Sequence, residues 1–178
     1  MSRIPYPDVS KLPEATQKML AGTPLNVVRM AAHASPAMFE AQGRLSYVIA
    51  DTAVLSARIR ETVILRVAYL AGSDYELHHH VPLAHAAGLT AEELAAIASG
   101  RYYALDALLA PLCRFVDELV LQISPSDEAL QAMRAQVSDQ ALVHIVLTAA
   151  HYMGVARLIA VTGPEIDAAP LKALPTGS

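Results

Sequence analysis

Four residues whose side chains can exchange protons share one part of the sequence. Ser73, Glu76 and His80 are spaced at i, i+3 and i+7, which places them on one face of a helix if Ser73 continues the helical geometry. Glu61 lies on the preceding segment, which carries apolar residues on nearly every face of the predicted helix. Two carboxylates, an imidazole and a hydroxyl that face one small volume can pass a proton among themselves. That is the requirement of general acid–base catalysis.

Each of these residues also has a structural interpretation. Glu76 and His80 are four residues apart, the spacing of an ordinary polar pair on one helix. Glu61 can be a buried carboxylate that pairs with an arginine, and Ser73 can be a turn or cap residue. The residues taken one at a time leave both interpretations open.

The spacing resembles that of the carboxymuconolactone decarboxylase and alkyl hydroperoxidase D (AhpD) superfamily. In its redox branch a Glu is followed twelve residues later by a Cys, then after two residues by a second Cys, and after three more by a His. Glu61 and His80 match this pattern, whereas Ser73 and Glu76 stand where the cysteines are found. The chain is therefore similar to the branch without the dithiol, over about residues 44–125. The combined match favours a chemical site.

The resemblance implies an AhpD-like all-α bundle that forms homo-oligomers, either trimers or hexamers. It also implies a cofactor-free lyase or decarboxylase whose substrate is a small carboxylate or lactone. Glu61 and His80 would relay protons with the help of Glu76. A substrate carboxylate would be held by one arginine of the set Arg58, Arg66 and Arg157. The remaining candidate substrate-binding residues are Ser73, Tyr69, His79, His151 and Tyr152.

Two other functions stay open. The first is an alkylhydroperoxidase-like, peroxiredoxin-type antioxidant enzyme, but its CxxC dithiol is absent and Cys113 is the only cysteine. Cys113 lies among apolar residues, where a free cysteine behaves as a small hydrophobic side chain. The second is an oligomeric binding protein without catalysis. A sealed site, or a Glu61 that does not approach His80, would favour this second function.

The run His78–His80 suggests a metal site, but successive helix residues point about 100° apart and cannot all bind one ion. His80 and Glu76 could supply two ligands, and His144 or His151 could supply a third. We interpret His144 and His151 as core, interface or pocket-wall residues instead. We expect neither a metal nor another cofactor.

The composition limits the class of protein. Of the 178 residues, 54% are hydrophobic and 17% are charged, which is little charge for the surface of a monomer and predicts a homo-oligomer. The net charge of −4 gives no reason to expect a nucleic-acid partner. No uncharged apolar run reaches about 18 residues, so we expect no membrane partner. The single cysteine and the absence of an N-terminal signal segment predict a cytoplasmic protein.

Helix signals recur along the chain and no strand pattern is found, so the sequence predicts about seven or eight helices. Ser56 and Asp74 are expected to be the N-caps of two central helices, Ser138 that of the last helix, and Thr90 with Glu93 forms a capping box. Pro111 is expected to split or kink a later helix. We treat residues 1–178 as one all-α domain. Its parts are an N-terminal arm (1–35), a decarboxylase-like core (about 44–125) and a C-terminal helix with its tail (138–178).

Overall fold

The computed structural model describes residues 1–50 and 53–171, and these residues form α-helices and two short 3-10 helices. The all-α prediction is confirmed. The described residues contain nine α-helices, against about seven or eight expected. The helices are α1 (Glu14–Gly22), α2 (Asn26–Ala31), α3 (Pro36–Ala50), α4 (Ala57–Ala71), α5 (Asp74–Ala86), α6 (Ala91–Ser99), α7 (Leu109–Gln122), α8 (Asp127–Arg134) and α9 (Asp139–Thr162).

Helix α4 runs through the middle of the bundle. It begins after Ser56, whose side chain accepts a hydrogen bond from the Ile59 amide, so the predicted N-cap is confirmed. Every residue from 61 to 68 is buried, because α5, α7 and α9 pack against different sides of the helix. The helix ends at Gly72, whose φ of 62° is a conformation that glycine adopts without steric cost.

The turn after α4 determines where α5 begins. The Ser73 amide donates to the Ala68 carbonyl, a hydrogen bond typical of a helix end in the left-handed conformation. Ser73 is then the N-cap of α5, and Asp74 is already its first helical residue. The prediction of Asp74 as the cap is therefore wrong by one residue, because Gly72 and Ser73 complete the chain reversal. Helix α5 folds back against α4 and contains Pro82.

Two other sequence signals have different outcomes. The Thr90–Glu93 capping box at the start of α6 is confirmed, with both of its hydrogen bonds formed. Pro111 does not split α7, because it lies in the first turn, where an amide has no partner within the helix. The helix begins only at Leu109, after Asp106 accepts hydrogen bonds from the amides at 108 and 109.

Helix α9 is the longest, with 24 residues between the predicted N-cap Ser138 and Gly163. It packs one face against α4. In the described part of the chain it is the one helix that is long and apolar enough to cross a membrane, and 28% of that stretch is buried inside the bundle. A core helix of a soluble protein passes the same test, so this is weak evidence for a membrane span.

The chain that follows α9 lies on its own subunit. The Thr162 carbonyl accepts a hydrogen bond from the Arg3 amide, and Glu165 accepts one from the Tyr6 hydroxyl. Asp167 reaches the first turn of α2 and the side chains of α5. The described part of this tail therefore packs within the same chain, and residues 172–178 lie outside the described residues.

Candidate active site

Glu61 and His80 meet between α4 and α5. The Nδ1 atom of His80 lies 2.8 Å from Glu61 Oε2, and the two residues are 6% and 1% exposed. A carboxylate only accepts hydrogen bonds, so the ring proton of a neutral His80 lies on Nδ1 and Nε2 carries the lone pair. Nε2 makes no hydrogen bond within the described residues. The structure thus brings together the two residues that were predicted to relay a proton, and their catalytic role stays a prediction.

Arg60 is a member of this cluster that the sequence analysis missed. Its Nε donates to Glu61 Oε1 at 3.0 Å, and its Nη1 donates to the Ala50 carbonyl at 2.9 Å. Glu61 is therefore held on one oxygen by a guanidinium and on the other by His80. Neighbouring helix residues point about 100° apart, so adjacency did not suggest the contact, but a long arginine side chain can curl across that angle. The available signal was the position of Arg60 directly next to Glu61 in the sequence, which allows the two side chains to pair.

Glu76 is buried beside this pair without a hydrogen-bond partner. It is 3% exposed, and neither carboxyl oxygen is hydrogen-bonded within the described residues. Burial raises the pKa of Glu76 to about 8, and the adjacent Ser73 hydroxyl opposes this rise only in part. The Ser73 hydroxyl is also buried. It lies close enough to Glu76 to affect that pKa, but the two groups do not reach hydrogen-bond geometry. At neutral pH Glu76 therefore carries a proton that it can donate.

Tyr152 of α9 covers the pair from the other side. Its ring stands edge-on to His80, with 5.1 Å between the ring centroids. Burial raises the pKa of the Tyr152 phenol, and the negative charges of Glu61 and Glu76 add to that rise. Both carboxyl groups are thus close enough to Tyr152 to affect the pKa of its phenol. The predicted residues Glu61, Glu76, His80 and Tyr152 surround one region.

His151 lies one residue away but in a different environment. Its Nε2 is 3.0 Å from the Ser46 hydroxyl, and that hydroxyl donates to the Gln42 carbonyl of α3. Burial lowers the pKa of His151, so the ring is neutral at physiological pH. His151 therefore connects α9 to α3, and only its edge-on contact with Tyr152 connects it to the site.

Arg66 does not fit its predicted role. Its Nε bonds Asp117 and its Nη1 donates to the Ile97 carbonyl, on the side of α4 that faces α6 and α7. Arg66 follows Glu61 by five residues, which turns it about 140° around the helix. Arg58 is likewise paired, with Glu93 and Asp106. Neither guanidinium is available to a substrate beside His80, and Arg157 is an exposed residue that donates to a carbonyl of its own helix.

His79 is part of a second polar cluster. The Leu171 amide donates to its Nδ1 at 3.1 Å, so a hydrogen is left on Nε2, which lies 3.1 Å from Asp167 Oδ2. Tyr75 donates to the same oxygen of Asp167. With both ring nitrogens bonded, His79 has no group free for a substrate. Tyr69 is half-buried, and burial raises its pKa.

The structure also bears on a reactive thiol and on a metal site, the two alternatives that the sequence raised. Cys113 is fully buried, and burial raises the pKa of its thiol to about 12, so it is not a reactive thiolate at neutral pH. In the described part of the chain, no group of three or more His, Cys, Asp or Glu residues is arranged to hold a metal ion. The alternative ligand set of Glu76, His80 and a histidine of α9 is not among such groups there.

Comparison with known proteins relates the central part of this chain to a known family. Residues 36–112, which include Glu61, Ser73, Glu76 and His80, match the family of carboxymuconolactone decarboxylases. This match and the folds of the solved structures below support the carboxymuconolactone decarboxylase and AhpD-like superfamily. The predicted resemblance is confirmed, and the matched segment overlaps the core predicted at about 44–125. No curated protein matches the sequence.

Two solved structures share the AhpD-like fold. One is an AhpD-core, peroxidase-related protein of uncharacterized function from Ralstonia eutropha JMP134, with a TM-score of 0.77 and 16% identity over 94% of this chain and 93% of that chain. The other is a protein of unknown function from Agrobacterium tumefaciens, proposed to be an antioxidant defence protein AhpD. It has a TM-score of 0.69 and 21% identity over 79% of this chain and 96% of that chain. At these identities the likeness concerns the fold.

Proposed function

We propose that this AhpD-like protein is a cofactor-free lyase that moves protons on a small carboxylate or lactone, with decarboxylation as the overall reaction. The observation that carries the proposal is the buried 2.8 Å contact between Glu61 and His80, next to a carboxyl group with a pKa of about 8. A base and an acid are thereby available at the same pH, which is the arrangement that proton transfer beside a carbonyl requires.

His80 supplies the base in this proposal. Glu61 holds the Nδ1–H, so the Nε2 lone pair can take up a proton and exchange it with the substrate carbon next to a carbonyl. The imidazolium that forms is stabilised by the negative charge of Glu61. Arg60 fixes the other oxygen of that carboxyl group and keeps its orientation. Glu61 is therefore a positioning residue, and His80 contacts the reacting atoms.

Glu76 supplies the acid. In the decarboxylation step the bond to the carboxyl carbon breaks, CO2 leaves, and the electron pair moves onto the neighbouring carbonyl oxygen to form an enolate. Glu76 donates its proton to that oxygen, which gives an enol and the Glu76 carboxylate. His80 Nε2, after taking up one proton from the solvent, gives that proton to the carbon, and the enol proton returns to Glu76. Both groups end in their starting states, one solvent proton replaces the CO2 on the carbon, and no electron acceptor is needed.

The substrate carboxylate needs a cation, and Arg60 is the guanidinium present at the site. Its Nε and Nη1 are engaged, but its Nη2 makes no hydrogen bond to the described residues. We assign Nη2 to the substrate carboxylate in place of the three arginines that the sequence suggested. The proposal further includes a cytoplasmic location and a homo-oligomer, either a trimer or a hexamer.

One observation favours a second candidate, a binding protein without catalysis. The side chains of Glu61 and His80 are only 2% and 8% exposed. A substrate can reach His80 Nε2 only if it is small or if the covering segments move. A thiol-dependent peroxide-removing enzyme is disfavoured, because Cys113 is buried and burial raises the pKa of its thiol. Peroxidase activity that survives Cys113→Ser would exclude thiol chemistry altogether.

The test measures turnover of carboxymuconolactone and of simpler lactone carboxylates, with CO2 release as the assay. Wild type, Glu61→Gln and His80→Ala are compared with Glu128→Gln, which removes an exposed carboxylate far from the site. Turnover that is lost in the two site variants and kept in the control supports the lyase. Turnover unchanged in both site variants excludes the relay. Binding of these compounds without turnover favours the second candidate.

A further inference from the structure

Helix α9 carries a row of exposed side chains along its outer face. The exposed positions recur at spacings of four, three, four, three and four residues, which keeps them on one side of the helix. We call this row the α9 stripe; it consists of Val143, Leu147, Ala150, Gly154, Arg157 and Val161. Five of the six are uncharged, and Val143, Leu147 and Val161 are each more than half exposed.

The opposite face of the same helix lies in the core. Ile145, Thr148 and Ala149 are buried there against the rest of the bundle. A surface helix of a globular protein is normally apolar on the core side and polar on the other. A helix that is apolar on both sides is normally covered on both sides. The α9 stripe is therefore a surface that needs a partner.

The middle of the stripe is shaped for close contact with another helix. Ala150 and Gly154 are its smallest members and lie one turn apart. A Cβ atom added to Gly154 would meet nothing within 4 Å, so the space above it is open in the single chain. Small residues at a helix crossing allow the two axes to approach to the short end of the ~8–10 Å range.

We infer that the α9 stripe packs antiparallel against the α9 stripe of a second copy of this chain, around a two-fold axis near residue 152. This arrangement is self-complementary, as a two-fold contact must be, and of the two proposed assemblies it fits the hexamer and not the trimer. Val143 lies opposite the second copy's Val161, and Ala150 lies opposite its Gly154. The long apolar residues meet at the ends and the small residues meet at the centre.

Charge also favours the antiparallel pair. Arg157 is the only charged residue of the stripe, and in a parallel pair the two copies of Arg157 would lie side by side. In the antiparallel pair they are ten helical positions apart, about 15 Å along the axis. That exceeds the ~10 Å over which exposed charges interact in salt solution. Each guanidinium can then extend past Leu147 of the other copy to the rim.

The stripe alone is smaller than a stable interface, so the proposed contact includes part of the adjoining helix α3. A helix of 24 residues is about 36 Å long, and a contact strip about 10 Å wide covers roughly 360 Å². A stable interface buries about 800 Å² on each partner. The bond between His151 and Ser46 places α3 beside α9, and α3 exposes Met38, Leu45 and Val48. These residues extend the apolar surface toward the required area.

A membrane does not fit the same surface. If α9 entered a bilayer, its core face would have to leave the bundle, and Arg157 with two histidines would enter the hydrocarbon at considerable cost. The helix carries no lysine and no second arginine to attract lipid headgroups. A second copy of this chain covers the stripe without either cost.

The test is the mass of the assembly in solution. Leu147→Glu and Gly154→Glu place a carboxylate in the contact, and the open space at both positions keeps each single chain folded, which circular dichroism checks. Both variants are expected to raise the dissociation constant by ~30-fold or more. Leu121→Glu, at an exposed leucine of α7, is the matched control and is expected to keep the wild-type mass.

A distance measurement tests the direction of the pair. A spin label at Val143→Cys, in a background with Cys113→Ala, should give a separation of about 27 Å between the labelled backbones, and about 10 Å if the helices are parallel. A monomeric wild type, an assembly that resists both glutamate variants, a short label distance, or flotation of the protein with neutral phosphatidylcholine vesicles would overturn the inference. None of these readouts depends on turnover, so the inference and the proposed function can fail separately.

Discussion

Two neighbouring histidines of α5 each contact one carboxyl group, yet their surroundings differ. His79 has a partner on both ring nitrogens, and Asp167 accepts hydrogen bonds from Tyr75, from His79 and from the amide of Asn26. His80 has Glu61 on one nitrogen only. Next to it, both oxygens of Glu76 are buried without a partner in the described residues.

The difference separates a structural cluster from a chemical one. Buried polar groups in folded proteins are almost always hydrogen-bonded, and each exception needs an explanation. The His79 cluster is complete, so its contacts account for its presence by fixing the C-terminal segment to α2 and α5. The His80 cluster is incomplete, and a substrate that completes it accounts for an arrangement that otherwise costs stability. The predictions below either strengthen this contrast or remove it.

The largest contrast is expected in turnover. His80→Asn should lower kcat of the decarboxylation by about 10²–10⁴-fold, since the base is lost. His79→Asn should change kcat by less than about tenfold, a barrier change below about 1.4 kcal/mol, because His79 has no free nitrogen. The measurement is steady-state kinetics on both variants. Equal losses in the two would remove the distinction between the clusters.

The next effect is the pH dependence of stability at Glu76. Its pKa is about 8 in the folded chain and 4.5 ordinarily, so the folded state keeps a proton that the unfolded state loses as the pH rises between these values. The wild type therefore loses stability over that range, and Glu76→Gln does not. The gap corresponds to a gain of roughly 5 kcal/mol for Glu76→Gln above pH 8 and almost none below pH 4.5.

Urea unfolding of Glu76→Gln and wild type at pH 5 and pH 9 measures this gain. Glu128→Gln, at an exposed position, should show no comparable change between the two pH values. Activity adds a second readout: wild-type turnover should fall above about pH 8, where Glu76 loses its proton. A stability gain that is the same at both pH values would mean that Glu76 is not protonated in the folded chain.

A smaller effect is expected in the complete cluster. Asp167→Ala leaves the Tyr75 hydroxyl, His79 and the Asn26 amide without their acceptor, and should lower the free energy of unfolding by about 2 kcal/mol. Asp74→Ala, an exposed acid of the same region, should cost less than about 1 kcal/mol. Urea unfolding compares the two. If Asp167→Ala instead abolished turnover without loss of stability, the cluster would belong to the chemistry.

The smallest effect is the release of the C-terminal segment by acid. Burial lowers the pKa of His79, so its contribution to stability is full above the ordinary value of 6.5 and is lost as the pH falls through the lower folded value. Protonation of Nδ1 also removes the acceptor for the Leu171 amide. Hydrogen exchange at Leu171, corrected for intrinsic rates, should become faster in acid. Protection that does not change with pH would contradict this view of His79.

The sequence predicted the helices better than it predicted the contacts around them. Ser56, Thr90 and Ser138 cap helices as expected, because a cap depends on residues within one turn. Asp74 missed by one residue, because the reversal at Gly72 determined where α5 begins. Pro111 was misread because its effect depends on whether it falls in the first turn of a helix or later.

The site shows the same division between local and long-range information. The approach of Glu61 to His80 followed from spacing and family resemblance, since both helices are adjacent in sequence. Arg66 was assigned to the site by residue type alone, and its position around α4 places it with Asp117 instead. Arg60 and Asp167 were missed because a curled arginine and a contact across 88 residues leave no local pattern.

The central claim is that Glu61 and His80 move a proton at a carbon beside a carbonyl. The most direct measurement is deuterium incorporation at that carbon when the protein is incubated with carboxymuconolactone or a lactone carboxylate in D2O and followed by NMR. We predict rapid incorporation with wild type and with His79→Asn, and incorporation near the uncatalysed rate with Glu61→Gln and His80→Asn. Incorporation that is equal in all four proteins, or absent with wild type, would contradict the account.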